Sequence, residues 1–242
     1  QRMQQLESLF DKNNLSSKRE LAVRKLQSLQ CADGSWSWYK GMPGSFYITE
    51  SVVEQLVRLK HQMGNLDGRI EALLDNAFGF LDHFALKEYQ EMLKNKDKGL
   101  PSESALHYLY ASVLAERELT PEVKTMQNFY VERLSKSTLK LTIYGKSLSS
   151  YILNAFGKHN IAKTFVQSLR EYSVSAPDMG RYYDTNIAYY SWMDYRIPTQ
   201  VAAMTAMAAM KADFPDTDSY LNDMSLWLIR QKQVQMWDNP LN

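Results

Sequence analysis

The chain has 242 residues, enough to bury a substantial core as one large domain or two small ones. Its hydrophobic content of 45% and aromatic content of 12% are those of an ordinary globular protein. With 28 basic and 27 acidic residues the formal net charge is +1, which argues against a general nucleic-acid footprint and leaves protein and carbohydrate partners open. A single cysteine rules out an internal disulfide. Nothing approaches the roughly 18 consecutive apolar residues of a membrane span, and no signal peptide opens the chain. It begins inside a helical pattern at Gln1 and stops at Asp238-Asn239-Pro240, so it is expected to be an excised piece of a longer protein.

In chain order, a short polar helix is expected near 1–12. A second starts at the capping box Ser17/Glu20 and runs through Leu21, Leu26 and Leu29. The loop 31–46 carries Gly34, Gly41, Pro43 and Gly44. Val52, Leu56, Leu59 and Met63 then repeat at helical spacing up to Gly64-Asn65. A long helix is expected from Asp67 to about Lys94, ending at a solvated charged loop that reaches Gly99. Ser102 opens a helix with Leu106, Leu109 and Val113 on one side, and Thr120-Pro121-Glu122 opens the next. Tyr144, Leu148, Tyr151 and Ala155 mark another before Gly157, and a further one covers about 159–172. A loop at 175–180 leads into the tyrosine-rich stretch 182–195. Pro198 restarts helix with a small-residue face of Ala202, Ala206 and Ala209, and Asp216 is placed to cap the last helix, to Gln231. No strand is expected, and about eleven helices make an all-α fold. Paired helices of roughly 40 residues form either an open solenoid or a closed ring, and periodicity alone does not choose.

The most distinctive stretch is Gln30-Cys31-Ala32-Asp33-Gly34-Ser35-Trp36-Ser37-Trp38. A helix ends at Gln30, Asp33-Gly34 turns the chain, and Trp36 and Trp38 lie on one side of a short extended piece. The same grammar returns at Gln231, with Trp237 six positions later. The Gln-x3-Gly-x-Trp pattern resembles the corner motif of α/α toroids, found in terpenoid cyclases and complement-type thioester domains. Further blocks are similar to the thioester domain of bacterial α2-macroglobulins: Tyr47 to Val53, Met179-Gly180-Arg181-Tyr182-Tyr183 with Tyr190-Ser191-Trp192, Ile197 to Ala202, and Trp227 to Gln233 with Trp237-Asp238. They run in the expected order over nearly the whole chain.

The resemblance implies a single toroid domain within a large secreted or periplasmic protein that traps proteases after cleavage of a bait region. Its partners would be other domains of the parent chain and the trapped protease. The family's reactive motif is Cys-x-Glu-Gln, whose thiol and glutamine form an internal thioester. This sequence lacks it: Cys31 precedes Ala32-Asp33-Gly34, and Glu54-Gln55 has Val52 where the cysteine would stand. The module is therefore expected to be non-catalytic, without metal or cofactor.

Other chemistry is weighed on the residues themselves. Cys31 has no adjacent His, Lys or Arg to activate it. His61, His83, His107 and His159 show no metal-ligand spacing. Asp213-Phe214-Pro215-Asp216-Thr217-Asp218 is the nearest acidic cluster to what a cyclase needs, and reads better as a helix stop with an N-cap. Asp178, Asp184 and Asp194 sit among Tyr182, Tyr183, Tyr189, Tyr190 and Trp192, an arrangement open to a carbohydrate-active enzyme. The bland reading is that these aromatics fill a helix–helix corner. Tyr182, Tyr183 and Trp192 are the candidate interaction surface. Trp36, Trp38 and Trp237 are read as corner plugs, with a recognition surface on loop 31–46 as the alternative. A protein-binding helical scaffold is the remaining possibility.

Overall fold

The structure, a computed structural model, describes residues 12–64, 67–136, 141–184 and 196–232. Among these are nine α-helices, one two-stranded antiparallel sheet and one 3₁₀ turn. The chain falls into two compact units, Gln1–Glu88 and Tyr89–Asn242.

The first unit contains α1 (Lys12–Leu29), α2 (Phe46–Met63) and most of α3 (Gly68–Lys94). Ser17 lies inside α1, so the expected capping box does not start this helix. Glu20 instead reaches across to Arg69 on α3, at 3.0 and 2.7 Å, while also accepting from Arg24. On α1 it is Val23 that is buried, whereas Leu21 is 66% exposed. Ser45 caps α2 by accepting from the Ile48 N–H, and Gly64 stops the helix at positive φ. The buried stripe of α2 is Thr49, Glu50, Val53, Leu56 and Val57. Leu59 and Met63, expected inside, are exposed. Leu56 alone belongs to both stripes, because the corner residue Trp36 draws Thr49 inward and sets the helix's rotation.

The Arg69 guanidinium, followed by that of Arg24, holds the Glu20 carboxyl down at about 2. Arg69 also holds Asp67 well below the usual carboxylate range. A carboxyl depressed on folding contributes stability above its unfolded value and loses it as pH falls toward the folded value. Arg69→Gln is therefore expected to destabilise near neutrality and to flatten the loss of stability between about pH 4.5 and 2. Thermal unfolding of both proteins at low salt across that range checks this. An unchanged acid limb would dismiss the network as a contributor.

The second unit contains α4 (Glu103–Leu114), α5 (Pro121–Ser135), α6 (Ile143–Ala155), α7 (His159–Tyr172), the hairpin β1 (Ser173–Ala176) and β2 (Gly180–Tyr183), α8 (Arg196–Ala209) and α9 (Thr217–Gln231). Ser102, Thr120 and Thr142 cap the first three by accepting from the amides of Ala105, Val123 and Gly145. α6 is central and packs on α4, α7 and α8. Ten of its thirteen residues are buried, which fits a helix covered on several sides rather than one with a single apolar stripe. Gly157 at φ 73 begins the turn that brings α7 onto α6. The small-residue face of α8 is Ala202, Ala203 and Ala206, while Ala209 is exposed. The hairpin corrects the strand-free expectation: Ser173 pairs with Tyr183 and Ala176 with Gly180. Four-residue strands of this kind leave too short a pattern for alternation to be read.

α6 also buries a lysine. Lys146 is 4% exposed; its Nζ donates to Ser168 Oγ at 2.9 Å and lies 4.5 Å from the centre of the Tyr172 ring. Burial pushes the ammonium below its ordinary value, and the charge of Glu171 only partly opposes this. The unfolded chain thus binds more protons between the folded and unfolded values, so stability rises with pH across that window. Lys146→Met is expected to raise stability at pH 7 by about 1 kcal/mol and to remove this rise. Denaturant unfolding of both proteins between neutral and alkaline pH measures it. An identical slope in the variant would count against the assignment.

Candidate functional site

The best-defined polar construction is the corner between α1 and α2. Gln30 sends its Nε2 to two carbonyls, Gly34 at 3.0 Å within the turn and Leu73 at 2.9 Å on α3. Cys31 N–H donates to the Ser35 carbonyl and Gly34 N–H to the Cys31 carbonyl, which closes the turn. Asp33 accepts from both the N–H and the hydroxyl of Ser35, and the hydroxyl bond chiefly lowers its carboxyl pKa. Gly34 sits at φ +86 against α3, where a Cβ would lie 2.3 Å from the Asn76 carbonyl oxygen. Only glycine meets both conditions.

Trp36, 3% exposed, completes the joint. Its N–H donates to Thr49 Oγ1 at 2.9 Å, and its indole Nε1 donates to the Leu26 carbonyl at 3.3 Å. It therefore ties the end of α1 to the first turn of α2. Trp38 does something else. It is 45% exposed and stacked on Tyr47, with ring centres 5.7 Å apart. The extended piece turns outward after Trp36, so Trp38 is not a plug. With Tyr39 and Met42 it leaves an apolar tip on loop 31–46.

A second corner of the same construction lies at the hairpin of the second unit. Gly180 sits at φ +78, and a Cβ there would lie 2.3 Å from the Asp223 carbonyl oxygen on α9. Gln200, fully buried, donates its Nε2 to Arg181 O at 2.8 Å and to Met224 O at 3.2 Å. Each corner thus presses a glycine onto a helix backbone, and a glutamine ties that helix to the turn. Sequence reading missed this one because the glutamine comes from the following helix, outside any Gln-x3-Gly spacing. The available signal was Gly180-x-Tyr182, which parallels Gly34-x-Trp36.

The other candidates are dispersed. Gln231 is the last residue of α9, and Trp237 and Trp192 lie outside the described residues. Tyr182 is half-buried and stacked on Trp227, with centres 6.0 Å apart. Tyr183 is 1% exposed, so it belongs to the core and not to an interaction surface. Strand β2 is covered on both faces, which turns alternate tyrosines into opposite packed layers. Asp178 and Asp184 are exposed, and Asp194 lies outside the described residues. Among the described residues no group of His, Cys, Asp and Glu could hold a metal ion. Likewise, no helix among them is long and apolar enough to cross a membrane.

The acidic run at the start of α9 is paired with basic side chains. Asp213 meets Lys163 and His159, Asp216 meets Arg170, and Asp218 meets Lys211. Asp216 occupies the N-cap position of α9 but makes no side-chain cap bond, because its carboxylate is turned toward Arg170.

No protein-family model matches this chain, and no curated protein matches it either.

Proposed function

We propose that this chain is a non-catalytic, thioester-domain-like module of an α2-macroglobulin-like protein that traps proteases. In this reading its helices belong to an α/α toroid and its parent works in the periplasm or outside the cell. The carrying observation is the pair of matched corners. In both, a glycine at positive φ leans on a helix backbone while a glutamine carboxamide binds the same helix. Joints of this kind hold successive helices at fixed angles, as a ring of paired helices requires. The ordered sequence blocks add support, since the glycines and glutamines of both corners lie within them. Fold alone does not assign function; the buried corners and the acids paired with basic side chains support a mechanical role.

The test uses the full-length parent protein. After incubation with an excess of parent, a trapped protease should still cleave a small peptide substrate while failing on a large protein substrate. Intact mass with and without methylamine, run in parallel, should show whether a thioester exists elsewhere in the parent; this chain should carry no adduct. A protease that keeps its full activity on the large substrate would overturn the trapping role.

A further inference from the structure

The end of α7, the hairpin and the start of α9 bring two arginines to one tyrosine. The guanidinium carbons of Arg170 and Arg181 lie 4.3 and 4.2 Å from the centre of the Tyr220 ring. Arg170 also lies 5.1 Å from the Phe214 ring centre. Arg181 Nη1 donates to Ser173 Oγ at 3.1 Å, a diagonal contact across the hairpin. The Ser173 hydroxyl donates to the Arg170 carbonyl at 2.8 Å and is bonded to the Tyr220 hydroxyl, which also donates to that carbonyl at 3.1 Å.

The charges here do not balance. Arg170 pairs with Asp216, whose side chain is 63% exposed, whereas Arg181 makes no ion pair among the described residues. Two guanidinium nitrogens, Arg170 Nη1 and Arg181 Nε, are shielded from water and have no acceptor among the described residues. Buried donors are nearly always satisfied, and an arginine held off water ordinarily has an anion beside it. The N-terminus of the fifteen-residue helix α9 adds its positive dipole end nearby, with no side-chain cap to occupy it.

We propose that Arg170 and Arg181 form a binding site for a tetrahedral oxyanion, a phosphate or sulfate group. Planar guanidinium forks match the several acceptor oxygens of such a group. The stacking on Tyr220 and Phe214 holds both forks in place before the ligand arrives. Asp216, the exposed member, is the group that swings out to water as the anion enters.

The experiment is calorimetric titration of the full chain with inorganic phosphate, inorganic sulfate and methyl phosphate, in chloride buffer at constant ionic strength. Saturable binding is expected for the inorganic ions, weakened about tenfold or more in Arg181→Gln and unchanged in Lys98→Gln, a control on an exposed loop. Comparable binding of methyl phosphate would show that the site accepts an oxyanion carried on a larger molecule, and its exclusion would assign the free ion. A measurement that needs no substitution is the NMR shift of the Arg181 Nε–H on phosphate addition, expected to move and saturate with the same affinity. Absence of both heat and shift overturns the proposal. Equal affinity in Arg181→Gln would mean an adventitious ion only, and overturns it as well.

Discussion

Gly34→Ala is expected to lower the stability of the first unit by about 3 kcal/mol or more, enough to unfold a marginal domain. Two effects add. An L-residue at φ +86 is strained by roughly 1–2 kcal/mol. The new Cβ would also lie 2.3 Å from the Asn76 carbonyl, and backbone in mid-helix yields only by displacing α3. Gly180→Ala meets the same pair of obstacles at φ +78 against the Asp223 carbonyl, so it should behave alike in the second unit. Gly41 is the control. Its φ is +90 but nothing lies within 4 Å of a Cβ there, so Gly41→Ala should show the strain alone. Chemical denaturation of the three variants separates the terms, and equal losses at Gly34 and Gly41 would refute the backbone contact.

Gln200→Glu should be the most damaging near-isosteric change. The glutamine Nε2 donates to two carbonyls in a fully buried setting, and glutamate replaces that donor with an acceptor facing Arg181 O and Met224 O. A buried, uncompensated carboxylate costs about 3–5 kcal/mol. Its pH dependence has a definite sign. The variant carboxyl is raised on folding, so the folded state binds more protons and stability falls as pH rises from the ordinary carboxylate value through the folded one. Partial recovery is expected in acid, where the neutral group can donate once. Gln200→Leu gives no such recovery. Unfolding midpoints at acidic and neutral pH decide the matter, and a variant insensitive to pH would show that the carboxamide bonds are not what holds the corner.

Much of the fold was legible because local chemistry dominated it. Ser102 and Thr120-Pro121 start helices where their side chains can cap them, and Gly64 and Gly157 end segments because only they turn left-handed without strain. The corner at Gln30 was legible because its glutamine, glycine and tryptophan are close in sequence and each has one plausible job. Reading failed where tertiary contact overrode a local signal. Ser17/Glu20 looks like a capping box, but Glu20 is worth more to Arg69 on another helix. Leu59 and Met63 fit a helical stripe, yet Thr49 is drawn into the core by the Trp36 amide and rotates α2 away from them. Lys146 and the pair Arg170/Arg181 were invisible, because nothing in a run such as Lys146-Ser147-Leu148 says that the lysine faces Ser168.

The two corners differ in how much chain each must gather, and this sets an order of assembly. Gln30 closes on a residue four positions away and then reaches 43 positions to α3. Gln200 has nothing so near: its partners stand 19 residues before it and 24 after it. Closing longer loops is slower and entropically harder, and the second joint needs the hairpin, α8 and α9 in place together. The first joint can therefore nucleate early as a local turn, whereas the second is a late latch whose closure locks the last helices as a group. A chain interrupted during synthesis before α9 would carry the glycine and the glutamine of that latch but not the helix they clasp.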